Sequence, residues 1–109
     1  MTDRELLEAA AKAAGLNVGD WLPGVLGLML YEGNPGSYTK RRWNPFFDGG
    51  DALRLAVALQ LEISPLGNCV QVGRPGAWET EVIYLESDPM AAACRAIVRA
   101  AATIGAAVG

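Results

Sequence analysis

The residues best suited to chemistry form one short segment near the middle of the chain. In order, its cationic and aromatic members are Tyr38, Lys40, Arg41, Arg42, Trp43, Phe46 and Phe47. Guanidinium groups bind phosphates through paired hydrogen bonds, and aromatic rings stack on nucleobases. The segment therefore predicts a platform for a small anionic ligand of nucleotide type. The same residues could instead form a basic loop whose aromatic side chains simply enter the core.

Two more arginines could contribute contacts to phosphate. Arg95 and Arg99 lie one helical turn apart, opposite the apolar stripe of the predicted last helix. The candidate ligand-binding residues are Tyr38, Lys40, Arg41, Arg42, Trp43, Arg95 and Arg99.

Catalytic chemistry is not expected from this sequence. The chain has no histidine, which removes the commonest general base and any Ser-His or Cys-His mechanism. Two pairs of carboxylates remain, Asp48 with Asp51 and Glu79 with Glu81. A helix start explains the first pair and a solvated strand face explains the second, whereas acid-base catalysis needs carboxylates in contrasting environments. We predict that the protein is not an enzyme and has no catalytic residue.

Metal and cofactor binding are not expected either. The carboxylates do not follow a calcium-loop pattern, and Gly49-Gly50 is too short for a phosphate-binding loop. Cys69 and Cys94 fall in different predicted elements, which favours two buried free thiols in a reducing cytosol. We predict no metal ligands and no cofactor.

Length and charge narrow the classes of partner. At 109 residues the chain is long enough for one domain, which we assign to residues 1–109. Twelve acidic against nine basic residues give a net charge of −3, which disfavours general DNA or RNA binding. The charged start MTDRELLE is not a signal peptide, and no run of 18 apolar residues predicts a membrane span. We therefore expect a cytoplasmic protein without membrane contact.

Three helices are predicted from their capping residues. Thr2 and Glu5 form a capping box for a first helix that ends near Ala14. Asp48 caps a middle helix from Gly49, and Asp51 in its first turn suits the helix dipole. The broad apolar surface of the middle helix indicates that it is covered on most sides.

The last helix has the clearest start signal. Ser87-Asp88-Pro89 predicts a cap at Asp88, and an apolar stripe follows from Met90 to Val108. Glycines at the end of this stripe, Gly105 and Gly109, predict a frayed tail.

The strands alternate with turn signals. Residues Asn17 to Gly24 read as a loop that pins Trp21 into the core. The apolar run from Val25 to Glu32 fits a strand buried on both faces or, alternatively, a short helix. After a turn at Asn34–Ser37, Tyr38 to Arg42 either continue as a hairpin partner or form a mobile loop.

Further strands are predicted after the middle helix. Short extended runs begin at Leu61 and at Cys69, and Trp78 to Glu86 alternates as a third. The fold class is α+β: a small, mostly antiparallel sheet of three to five strands sandwiched by three helices.

Three stretches resemble one known family. They are MTDRELLEAAAKAAG, WNPFFDGGDALRLAVAL and SDPMAAACRAIVRAAATIG, and the most specific part runs from Trp43 to Leu55. Together they are similar to the bacteriophage ABA sandwich domain family, small phage or prophage proteins named for an α-β-α layered fold. The resemblance implies phage origin and action in the cytoplasm of the bacterial host, and it implies no reaction.

Two functions follow as expectations. The first is a phage accessory protein that binds without catalysis and sequesters a small nucleotide-type host signal, as a homo-oligomer. The alternative is a structural or interaction protein that oligomerises or inhibits a host or phage protein through its apolar helices and a β edge.

Overall fold

The computed structural model of the protein describes residues 2–22, 27–34, 36–75, 77–82 and 88–107. The helices are α1 (Asp3–Ala14), α2 (Gly49–Ala58) and α3 (Pro89–Ala107). The strands are β1 (Val18–Leu22), β2 (Gly27–Asn34), β3 (Ser37–Trp43), β4 (Glu62–Pro65), β5 (Cys69–Arg74) and β6 (Ala77–Val82).

Within the described ranges the strands form two antiparallel sheets rather than one. The first sheet has the order β1-β2-β3 and the second has the order β4-β5-β6, so each consists of three consecutive strands. The α+β class, the three helices and the antiparallel pairing are confirmed, whereas the single sheet is corrected to two. The physical reason is that α2 interrupts the run of strands, and pairing on either side of it is local.

One hydrophobic core draws on both sheets and all three helices. The helix α3 contacts β5 and β6 as well as α1 and α2, while α1 contacts β1 and β2. The larger buried apolar side chains are Leu7, Leu28, Leu30, Trp43, Leu55, Leu59, Val70, Val72, Ile97, Val98 and Ile104.

The predicted start of α1 is confirmed. The Thr2 hydroxyl accepts from the Glu5 backbone N–H at 3.2 Å, and Glu5 Oε1 accepts from the Thr2 N–H at 3.1 Å. The helix ends at Gly15, whose φ of 69° is the left-handed conformation that glycine adopts without steric cost.

The start of α2 is also confirmed, but its environment is not. Asp48 Oδ1 accepts from the Asp51 N–H at 2.9 Å, as a cap does. The prediction that the helix is covered on most sides is wrong, because the side chains of Leu53 and Val57 are 58% and 69% exposed. Only one face of α2 enters the core.

The end of α2 contains the one non-glycine residue with positive φ among those described. Gln60 has φ 55°, and the Leu61 N–H donates to the Ala56 carbonyl at 2.9 Å. This is the Schellman pattern of helix termination, with glutamine where glycine is preferred.

The predicted cap of α3 is confirmed, and the predicted fraying of its end is not. Asp88 Oδ1 accepts from the Met90 N–H at 2.9 Å, as predicted, while Ser87 and Val108 lie outside the described residues. Fraying at Gly105 is wrong: this glycine is buried, and a Cβ there would overlap the backbone carbonyl of Ala9. Glycine lets α1 and α3 approach closely at this point.

The length and composition of α3 would also suit a membrane span. About half of its apolar segment (56%) is buried against the rest of the fold, as in the core helix of a globular protein. Arg95 and Arg99 lie in its middle.

The first sheet corrects two strand predictions. Val18–Leu22 was predicted as loop but is a strand paired with β2. A register shift between Val18 and Trp21 breaks the alternation of side chains by which a strand is recognised in a sequence. Trp21 packs against the core, as expected. In β2 only one face is buried, with Leu28 and Leu30 inside and Tyr31 half-buried on the other face. Residues 25 and 26 lie outside the described part.

The extended alternative for Tyr38–Arg42 is confirmed: this segment belongs to β3, which pairs with β2 from Leu28↔Trp43 to Asn34↔Ser37. In the second sheet, β6 begins at Ala77 and the last described strand residue is Val82. The predicted continuation to Glu86 lies outside the described residues.

Candidate functional site

Strand alternation divides the basic and aromatic segment between two faces of the first sheet. Successive side chains of a strand point to opposite faces, so neighbours in the chain are not neighbours in space. Arg41 and Trp43 belong to the face that carries the buried residues Leu28 and Leu30. Tyr38, Lys40 and Arg42 belong to the outer face. The structure therefore separates the two adjacent arginines.

Trp43 is a core residue. It lies opposite Leu28 in the sheet and only 2% of its surface is exposed, so its ring has no free face for a base. This corrects its inclusion among the ligand-binding candidates and agrees with the alternative interpretation of the aromatic residues. The two phenylalanines differ, since Phe46 packs partly buried against the core and Phe47 is 73% exposed.

Arg41 is an ion-pair partner on the inner face. Its Nη1 donates to Asp51 Oδ1 at 2.7 Å and its Nε donates to Glu32 Oε1 at 2.8 Å. Hydrogen bonds to Asp51 and then to Glu32 raise the pKa of Arg41 above its ordinary value. Both contacts direct the guanidinium toward carboxylates of the protein rather than toward a ligand.

Asp51 is the buried centre of this network. Its side chain is 2% exposed and also receives Arg54 Nη2 at 3.1 Å and the Asn44 backbone N–H at 3.2 Å. Burying a carboxylate is costly unless charge and hydrogen bonds compensate it, and here α2 and β3 supply both. Sequence reasoning assigned Asp51 only to the helix dipole. The cations of β3 and the arginine in the next turn of α2 were the features of the sequence that could have indicated an ion-pair network around Asp51.

The crevice beside this network is too small for a nucleotide. Its volume is about 70 Å³, between Trp43, Leu55 and the ion pairs. Pockets that enclose small-molecule ligands are typically about 300–1,000 Å³. The inner face of β3 therefore joins the first sheet to α2 rather than binding a nucleotide.

The outer face of the first sheet brings rings and cations together in the open. The rings of Tyr31 and Tyr38 make an edge-to-face contact with centroids 6.4 Å apart, and Lys40 Nζ lies 5.7 Å from the centroid of Tyr31. Tyr38 is 45% exposed, and Lys40 and Arg42 are exposed. We call Tyr31, Tyr38, Lys40 and Arg42 the outer-face cluster. Tyr31 is a member that the sequence analysis missed.

Two glycines allow these side chains to lie flat on the sheet. A Cβ at Gly19 would be 2.8 Å from Tyr31 Cε2, and one at Gly27 would be 2.9 Å from Arg42 Cγ. The ring of Tyr31 therefore rests on β1, and the stem of Arg42 rests on β2. Such contacts restrict the rotamers of both side chains before a ligand arrives.

The two arginines of α3 lie elsewhere. Arg99 lines a groove of about 530 Å³ with Glu79 and Thr103, and Arg95 lines a cleft of about 130 Å³ with Phe46 and Phe47. Neither lining contains a described residue of β3. The seven candidates are thus spread over four places: Tyr38, Lys40 and Arg42 share the outer face of the first sheet, Arg41 and Trp43 share its inner face, and Arg95 and Arg99 line separate pockets.

Glu79 is not the solvated surface residue that was expected. It lies opposite buried Val72 in the sheet and its side chain is 25% exposed. The Thr103 hydroxyl is within hydrogen-bonding distance of Glu79 Oε1, at 3.0 Å, and Arg99 Nη2 is 3.8 Å from Oε2. Glu81 has no described side chain.

The other reactive groups have structural environments. Hydrogen bonding from the Asp51 backbone N–H lowers the pKa of Asp48, and burial raises the pKa of the Cys94 thiol, which stays protonated. Both cysteines are free, with Cys94 buried and Cys69 half-buried. Within the described ranges, no three metal-ligating side chains come together.

Comparison of the chain with protein-family models, curated proteins and solved structures finds no match in any of the three. The similarity to the bacteriophage ABA sandwich family therefore stays a prediction from the three stretches that carry it.

Proposed function

We propose that the protein is a non-enzymatic binding protein that holds a small anionic, nucleotide-type ligand on the outer-face cluster. The observation that carries this proposal is the contact of two tyrosine rings with a lysine on an exposed sheet face, beside an arginine. Lys40 and Arg42 alternate on β3, so both cations project from the same side.

The cluster supplies the two interactions that a nucleotide requires. Tyr38 offers an exposed ring for stacking on a base, and the two cations attract phosphate. Tyr31 supports both parts, because its ring contacts Tyr38 and lies beneath the Lys40 ammonium. Glu32, the acidic residue of β2, shares the other face with Arg41 and does not neutralise this side of the sheet.

Calorimetric titration with a panel of linear and cyclic nucleotides tests the proposal. We expect Lys40→Ala and Arg42→Ala each to weaken the best ligand about tenfold, since a hydrogen bond to a charged group contributes about 1.5 kcal/mol. Lys12→Ala is the matched control, because this lysine is an exposed cation on α1. A panel without binding, or equal losses in all three variants, would reject the proposal.

Tyr38 separates stacking from charge. Stacking on an aromatic side chain contributes about 1–3 kcal/mol per base, so Tyr38→Ala should weaken binding about 5- to 150-fold while Tyr38→Phe keeps most of the affinity. If the phenylalanine variant loses as much as the alanine variant, the ring does not stack and this part of the proposal is wrong.

The biological setting is proposed from the resemblance alone. It is a phage-encoded accessory protein of ABA sandwich ancestry that acts as a homo-oligomer in the bacterial cytoplasm, without membrane contact or general DNA or RNA binding. Sequestration of a small host signal would follow from tight binding without turnover.

The second candidate function is an interaction protein, and exposed apolar side chains favour it. Leu53 and Val57 project from α2, and Met90, 62% exposed, lies near the start of the same helix, where its Cε would be 3.5 Å from a Cβ at Gly49. Exposed apolar groups that adjoin one another often mark an interface. Sedimentation velocity of the protein and of Leu53→Glu tests this role: dissociation of an oligomer supports it, and an unchanged distribution rejects α2 as the oligomer interface.

A further inference from the structure

A groove of about 530 Å³ lies beside β6, and its walls come from three elements. Leu6 of α1 and the small residues Ala102 and Ala106 of α3 form an apolar part. Glu79, Arg99 and Thr103 form a polar part at the strand. The described lining includes a residue of β6 and none of β5, which indicates that the groove lies on the side of β6 that faces away from its partner.

The strand beside this groove is an edge strand. In the second sheet β6 pairs with β5, and within residues 77–82 and the other described ranges no strand pairs with its second side. An edge strand presents unpaired backbone N–H and C=O groups to which an extended chain can add. A strand added there would lie next to the groove, and every second side chain would face the helices.

The other strand edges carry features that oppose addition. The register of β1 shifts at Trp21, β4 ends in Pro65, and β3 has Lys40 at its centre. Bulges, prolines and lysines are the usual protection of sheet edges. The described part of β6 has no register shift, proline or lysine, and it adjoins the groove of about 530 Å³.

We propose that β6 and this groove bind an extended peptide of a partner protein by strand addition. The peptide carries a basic side chain opposite Glu79 and apolar side chains two residues away, over Leu6 and Ala102. This inference does not depend on the nucleotide-type ligand proposed above.

Charge selects such a partner over a second copy of this chain. Both acidic residues of β6 occupy alternate positions, so antiparallel pairing of two copies along most of the strand places acid opposite acid. A basic residue instead forms a favourable cross-strand pair with Glu79. Glu79 Oε1 already accepts from the Thr103 hydroxyl at 3.0 Å, and Oε2 forms a long ion pair with Arg99 Nη2 at 3.8 Å, so a basic side chain of the peptide would approach Oε2 more closely than Arg99 does.

The probe is a fluorescently labelled heptapeptide, Ser-Leu-Ser-Lys-Ser-Leu-Ser, blocked at both ends and followed by anisotropy. We expect saturable binding that Glu79→Gln weakens about two- to fivefold, the size of effect measured for a cross-strand ion pair. Replacing the peptide lysine with glutamine should remove this sensitivity. Glu62→Gln, on the opposite edge strand β4, is the matched control and should bind normally.

Two N-methylated peptides test the pairing on the unaltered protein. One is methylated on the amides of its even positions and the other on its odd positions, and strand addition uses only one of these edges. One peptide should bind like the parent, and the other should bind more weakly by more than about tenfold through lost main-chain hydrogen bonds. Absence of parent binding, or equal binding of the two methylated peptides, would overturn the inference.

Discussion

Replacing either of two adjacent arginines of β3 with alanine should affect a different property of the protein. Arg41 points inward to Asp51 and Glu32, whereas Arg42 lies exposed on the outer face. We expect Arg41→Ala to lower the free energy of unfolding and Arg42→Ala to lower ligand affinity. The contrast tests the division of the segment by strand alternation, because the two substitutions remove the same side chain one position apart.

The loss of unfolding free energy expected for Arg41→Ala depends on the partners that the Asp51 carboxylate keeps. Removing one partner of a buried ion pair costs about 3–5 kcal/mol when the other charge is left unpaired. Here Arg54 and the Asn44 N–H still contact the carboxylate, and the Arg41 side chain is 37% exposed, so solvent screens part of the interaction. One charged hydrogen bond to a buried acceptor is then lost, about 2 kcal/mol, which lowers Tm by roughly 10 °C.

Urea denaturation followed by circular dichroism measures these differences. Arg42→Ala should change the free energy of unfolding by less than about 1 kcal/mol, because its side chain is exposed. The account is refuted if Arg42→Ala destabilises the protein as much as Arg41→Ala, or if Arg41→Ala leaves stability unchanged.

Three further predictions concern the helices. Gly105→Ala should lower the free energy of unfolding by about 1–3 kcal/mol, because the added methyl group overpacks α1 against α3. Gly49→Ala, whose Cβ would make an ordinary contact, should leave stability unchanged or raise it slightly, and equal effects of the two substitutions in urea denaturation would contradict the close approach of the helices. Gln60→Gly should stabilise by about 0.5–1 kcal/mol because it relieves a left-handed conformation, and Gln71→Gly in β5 should instead destabilise; a loss of stability in both would contradict the assigned helix end. The pKa of Asp48 is lowered below 3.8 in the folded state, so the stability that this group contributes is present above that pH and is lost as pH falls through the folded pKa. Asp48→Asn should reduce this loss of stability in acid, and an unchanged dependence of stability on pH would argue against the cap.

Local sequence signals predicted the helices well. The capping residues Thr2 and Asp48 mark helix starts through contacts within one turn, and such contacts depend little on the rest of the fold. The role of Gly105 was missed because it depends on a second helix, which the sequence of α3 does not specify. Likewise, Leu53 and Val57 are apolar on an exposed face, so hydrophobicity alone indicated burial that does not occur.

The candidate site was predicted only in part, for a similar reason. Composition located the segment, but the alternation of β3 determined that Lys40 and Arg42 share a face while Arg41 does not. Tyr31 entered the cluster through pairing with β3, a relation that the sequence signalled only as a hairpin alternative. The register of the hairpin, rather than the order of residues, determines which side chains can act together.

The most direct test of the proposed function is a ¹H–¹⁵N correlation spectrum of the protein titrated with the nucleotide that binds best. The account predicts that shift changes concentrate on Tyr31, Tyr38, Lys40 and Arg42, with Gly19 and Gly27 beneath them, and that they disappear in Lys40→Ala/Arg42→Ala. Changes centred on Arg95 or Arg99, or no changes at saturating nucleotide, would contradict it.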